Sequence, residues 1–146
     1  MISTELARAL RTAGLRWTPA AGDRFVLDPE QTRLVPDEDR QDVYTVSDMT
    51  IEAHEYPTGT ILGFNGTTEW ALDSVALHEA LWLPAEGQLR ELLRDGFRSL
   101  AADDDGRFTV RARLQEQDRV FTADTAAEAY GEALLALLLL AVAPPS

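Results

Sequence analysis

The sequence predicts an α+β fold: an antiparallel β-meander sheet packed by an N-terminal helix, a middle helix and a long C-terminal helix. Three observations carry that reading. Residues Met49–Tyr56 and Arg107–Leu114 alternate side-chain character with period two, the mark of strands with one face in a core. Asn65-Gly66 stands between ILGF and TTEWAL. An Asn-Gly pair takes φ > 0 at both central positions of a type I′ turn, so it is the strongest hairpin signal in the chain. Helical start and stop signals bracket residues 4–13, 85–95 and 125–142.

The first helix opens on Ser3-Thr4-Glu5, where a hydroxyl can take a free first-turn amide and the carboxylate suits the positive end of the dipole. Gly14-Leu15 supplies its left-handed stop and the apolar residue that folds back on it. Gly22-Asp23 reads as a turn before a short strand, Arg24–Leu27, which Asp28-Pro29 ends. Residues 28–42 are polar with two prolines and read as a surface loop inside a single domain, 1–146. Val43–Val46, Met49–Tyr56 and Thr60–Phe64 follow as strands, and the Asn-Gly hairpin places Ile61 opposite Trp70. Val75–Leu83 fits either a short helix or a loop running into a strand at Leu81-Trp82-Leu83.

Pro84 opens the middle helix, Ala85–Asp95, with Leu89, Leu92 and Leu93 on one face and Gly96-Phe97 as a second glycine-plus-apolar stop. Asp103-Asp104-Asp105-Gly106 joins two strands as a hairpin. In the second of them Phe108, Val110, Ala112 and Leu114 face one way, and Arg107, Thr109, Arg111 and Arg113 the other. A last short strand covers Arg119–Phe121. Thr125 and Glu128 then form a capping box that starts the longest helix. That helix is apolar all round in its last two turns, so both of its sides need cover: the sheet on one, and the other helices or a second subunit on the other. A homodimer through this C-terminal helix is one expectation that follows.

Composition excludes several classes of function. The chain has 146 residues and no cysteine, hence no disulfide framework, no thiol nucleophile and no thiolate metal site. All 13 basic residues are Arg. Without lysine there is neither a Schiff base nor a P-loop. Net charge is −12, and residues 37–79 hold ten acids against one Arg. Such a chain repels phosphate, so nucleic acid is not an expected partner; the acidic stretch suits a basic one. The apolar run 133–143 is far shorter than the roughly 20 residues a bilayer requires, so no membrane span is expected. The opening MISTELARAL lacks the pattern of a signal peptide, and a cytoplasmic location is the default expectation.

No constellation points to catalytic, cofactor or metal chemistry. His54 lies between Glu52 and Glu55 on a strand, where a carboxylate neighbour would make it a base, but no nucleophile accompanies it. His78-Glu79 begins a zinc-helix pattern that Trp82 breaks where a second His belongs. The Asp103–Gly106 run lacks the further acids of a calcium loop, since positions 101 and 112 are Ala. Trp70 and Trp82 serve a core, or else rim a protein-binding groove. Trp70, Trp82 and His54 are therefore the candidate binding residues.

The run GFNGTTEWALDSV with EALWLP and QLRELL resembles a small family of actinobacterial proteins, some of which carry the label "pilus assembly protein". The likeness runs from ELARAL…AGLRW through VSDMTIEAH to AEAYGEALLALL. That label normally denotes a P-loop ATPase. This chain has no lysine, so the resemblance implies no activity and transfers no catalytic residue. The WLP…QL…LL segment and the terminal helix also resemble small phage-borne proteins. The resulting expectation is a non-enzymatic protein-interaction or assembly module. The alternatives are an acidic immunity or anti-defence protein that binds a basic partner, and a small hydrolase or transferase using Glu52, His54 and Glu55.

Overall fold

The structure is a computed structural model that describes residues 1–28, 43–46, 51–56, 59–64, 75–76 and 79–142. It is α+β. The described residues form three helices and three three-stranded antiparallel sheets, where the sequence alone suggests one meander. The chain divides into two compact units: Met1–Arg16 with Pro84–Ser146, and Trp17–Leu83.

The first unit begins with α1, Thr4–Thr12. Ser3 caps it, its Oγ accepting from Leu6 N at 3.1 Å. Gly14 ends it at φ 111°, with Gly14 N donating to Arg11 O and Leu15 N to Leu10 O. These two bonds satisfy carbonyls that the last turn would leave open, as the Gly14-Leu15 signal implies.

Helix α2, Glu86–Leu93, is shorter than expected. Gln88 Oε1 accepts from Ala85 N at 2.8 Å and fixes its start. Its end departs from the glycine rule: Arg94, at φ 53°, takes the left-handed position, and Gly96 does not. A 3-10 turn, Arg94–Gly96, leads straight into a strand.

Strands β7 (Phe97–Ala102), β8 (Phe108–Leu114) and β9 (Gln117–Ala123) form a sequential meander. The β7–β8 turn is held by Asp103, whose Oδ1 accepts from Asp105 N and Arg107 N at 3.0 and 2.8 Å. That carboxylate organises the turn. Strand β9 is longer than the expected Arg119–Phe121. Its turn from β8 uses Gln115 and Glu116 at φ 47° and 69°, between the paired Leu114 and Gln117. Both central residues are left-handed, so the turn has the sign of type I′ without Asn or Gly.

Helix α3, Ala126–Val142, packs on β8, β9, α1 and α2. Gly131 lets α1 approach closely: a Cβ there would lie 2.5 Å from Leu6 Cδ2. Thr125 Oγ1 accepts from Glu128 N at 3.1 Å, half of the expected capping box. The other half is replaced. The Glu128 carboxylate accepts from Ser3 N and Ser3 Oγ, each at 2.9 Å and 125 positions away in sequence. A tertiary donor pair outcompetes the local amide, because two bonds to one carboxylate satisfy the cap of another helix as well. The apolar run is covered unevenly: Leu134 is buried, residues 135–138 are half-buried and Leu139 is 52% exposed.

The second unit holds two sheets. In one, β1 (Arg24–Leu27) runs between β2 (Tyr44–Thr45) and β6 (Ala80–Leu83). The stretch that fits helix or strand is therefore a strand at 80–83, because β1 pairs with it throughout, Arg24 with Leu83 and Leu27 with Ala80. Phe25, Val26 and Leu27 are all buried, so β1 is covered on both faces. In the other sheet, β3 (Ile51–Tyr56), β4 (Gly59–Phe64) and β5 (Val75–Ala76) lie in chain order. Ile61 stands between His54 and Ala76. This corrects the expected Ile61–Trp70 pair: both edges of β4 at Ile61 are taken, and Asn65-Gly66 and Trp70 lie outside the described residues.

Candidate functional site

Register builds an aromatic row in the second unit. Tyr44 and Trp82 both pair with Phe25, so the three share one face of the sheet β2–β1–β6. Phe25 and Tyr44 stack at 5.5 Å between centroids. Trp17, from the segment before β1, lies over the row at 5.5 Å from Phe25 and 6.2 Å from Trp82, nearly parallel to the latter at 7°.

Asp23 fixes Trp17. Its Oδ2 accepts from Trp17 Nε1 at 2.9 Å and Ala20 N at 3.1 Å, and the residue is buried. The Asp23 backbone completes the turn: its N–H donates to Ala20 O, and its carbonyl accepts from Val46 N. Phe25 is wholly buried, whereas Trp17, Tyr44 and Trp82 are half-buried. The row caps a core of Phe25, Leu27, Val46 and Ala80 and shows its outer rings to solvent. The indole Nε1 of Trp82 is enclosed and has no hydrogen-bond partner among the described residues.

Of the residues singled out in the sequence, Trp82 is placed in an aromatic cluster, stacked on Trp17. Trp70 is outside the described residues. His54 is opposite Ile61 on β3; its side chain and those of Glu52 and Glu55 are outside the description, as is His78. Among the described residues no group of three or more His, Asp or Glu side chains is arranged to hold a metal ion.

The first unit contains a cleft that sequence reasoning missed. It encloses about 330 Å³ and is open to solvent, lined by Met1, Arg107, Thr122–Thr125, Glu128 and Glu132. Glu128 and Glu132 are one turn apart on α3, so they share its face. Burial raises the Glu132 carboxyl above its usual range; neighbouring Glu128 raises it further, and Arg107 lowers it. The remaining polar groups have partners. Glu128 binds Ser3, Arg107 Nε lies 3.4 Å from Asp124, and the Thr122 and Thr109 hydroxyls are 3.0 Å apart. The cleft places one half-buried carboxylate next to another and no activated nucleophile beside them. The readable part of this signal was the i, i+4 pair Glu128/Glu132; the turn residues and the N-terminus reach it only through folding.

Charge separates the two units. Residues 17–83 carry 13 acidic residues against 3 Arg, a net of −10, and the rest of the chain carries 12 against 10, a net of −2. Among the described residues no helix is long and apolar enough to cross a membrane. No family model, curated protein or solved structure matches the chain.

Proposed function

We propose that this chain is a protein-binding module that works by surface contact, without covalent chemistry, and that its acidic unit receives a cationic partner. The observation behind the proposal is the concentration of a net −10 on Trp17–Leu83. A field of that sign steers basic segments and repels nucleic acid. The half-buried rings of Trp17, Tyr44 and Trp82 add surfaces on which an Arg or Lys side chain can stack. The resemblance to the small actinobacterial family agrees with an assembly role and brings no catalytic residue with it.

Capture of interacting proteins on the immobilised chain, at rising salt, tests the reading. Basic proteins should be retained at about 0.05 M salt and lost by about 0.5 M, as screening shortens the field. Retention that ignores salt, or a retained set with no excess of basic proteins, removes the proposal.

A self-associating form has one observation in its favour, the 52% exposure of Leu139 on the apolar run of α3. Light scattering tests it: a dimer that Leu139→Glu dissociates supports this form, and a monomer at every concentration removes it.

A further inference from the structure

The sheet β7–β8–β9 has α3 on one face, and on its other face Arg111, Arg113, Asp118 and Val120 are exposed. Across that second face β8 and β9 form a ladder of outward pairs. Arg113 faces Asp118 at 3.6 Å. Thr109 and Thr122 share a hydroxyl hydrogen bond at 3.0 Å. Just beyond the strands Arg107 meets Asp124 at 3.4 Å. Each of these rungs is chemically matched. The rung between them is not: Arg111 stands opposite Val120, which is 55% exposed. On its other side Arg111 faces Ser99 of β7. Its guanidinium has no acceptor among the described residues.

Each edge strand of the sheet carries a feature that disfavours an added strand. Strand β7 breaks register between Phe97 and Ser99. Strand β9 carries Arg119 on its helix-facing side, opposite Ala112 and over the Phe121 ring at 5.3 Å. A bulge and an inward charge both oppose edge pairing. What remains available is the face.

We propose that this face is a docking surface for a segment of a partner protein, which sets a carboxylate on Arg111 and an aliphatic side chain on Val120. The charge argument is local. Asp124 and Asp118 match Arg107 and Arg113, which leaves Arg111 as the one cation of the ladder with no carboxylate opposite it. A guanidinium presents a planar fork that a carboxylate fits with two parallel bonds. An exposed aliphatic beside a free Arg has the composition of an interface centre, and the flanking paired rungs supply its polar rim.

The experiment uses the whole chain and a fluorescent peptide of alternating Glu and Val, with an alternating Lys and Val peptide as control. The acidic peptide should bind and shift the backbone amide signals of Arg111 and Val120. Arg111→Glu and Val120→Asp should each weaken it about tenfold or more, and Arg111→Lys less than either. Both side chains are exposed, and Arg111→Gln repeats the test without reversing the charge. The proposal is overturned if the acidic peptide fails to bind, if the variants bind it equally, or if the basic peptide binds as tightly. Self-association of the chain that Arg111→Glu abolishes would make the occupant a second copy and overturn the partner assigned here.

Discussion

The two units reach their sheets by different routes. In the first unit β7, β8 and β9 follow one another through tight turns, and each strand pairs with its neighbour in sequence. In the second, the central strand β1 has its longest pairing with β6, so Leu27 and Ala80 must meet before that sheet exists. Local pairing closes short loops at small entropic cost; distant pairing fixes a long loop first and gains contacts afterwards. The charge distribution sharpens the contrast. The nearly neutral unit is built from local hairpins, and the unit with net −10 depends on a small apolar cluster around Phe25. Self-repulsion opposes compaction most where net charge is highest, so the second unit leans more heavily on each buried ring.

The largest expected effect tests that dependence. Phe25→Ala removes a wholly buried ring that touches Trp17 and Tyr44, and should cost about 3–5 kcal/mol. Amide hydrogen exchange should accelerate throughout β1, β2 and β6; unchanged exchange there would break the contrast. In the first unit, Gly131→Leu drives a side chain into Leu6 and Ile2. It should cost about 1–3 kcal/mol by overpacking, read from the denaturation midpoint, with loosened exchange in α1.

A smaller effect of opposite sign comes from the β8–β9 turn. Replacing Gln115-Glu116 by Asn-Gly puts residues that tolerate φ > 0 where the backbone already has it, and should stabilise by about 1 kcal/mol. A loss of stability would show that these side chains do more than turn the chain.

The smallest expected effect concerns the cleft. The folded-state pKa of Glu132 is raised above its unfolded value, mainly by burial and then by Glu128. A raised value means that the folded state favours the protonated form. The contribution to stability is therefore fully present below the unfolded pKa, about 4.5, and is lost as pH rises through the folded one. Glu132→Gln should melt higher than the parent chain at pH 7, with the gap closing as pH falls below about 4. A gap that persists in acid would assign the effect to packing and not to charge.

Much of the first unit was legible because its signals are local. Ser3, Gly14-Leu15, the Asp103–Gly106 turn and the inward set Val110, Ala112 and Leu114 act within a few residues of themselves, and the structure uses each as read. The turn at Gln115-Glu116 was silent, since neither residue advertises φ > 0 and the flanking strands impose it. Glu128 was read as a local cap and serves a distant one, because Ser3 offers two donors to a single carboxylate. Of the candidate site, Trp82 was visible as an aromatic residue in a stretch that fits helix or strand, but its stacking on Trp17 was not.

The amino-acid order by itself determined the three helices, most of the strands outside 75–83, and how charge is divided along the chain, because those properties follow from periodicity, caps and counts within short windows. Folding alone decided that β1 pairs with β6, that Trp17 covers Phe25, that Glu128 holds Ser3, and that Arg111 faces Val120 across β8 and β9. Each of these joins residues whose individual signals say nothing about one another, and the choice among partners is made by burial and hydrogen-bond satisfaction across the assembled units.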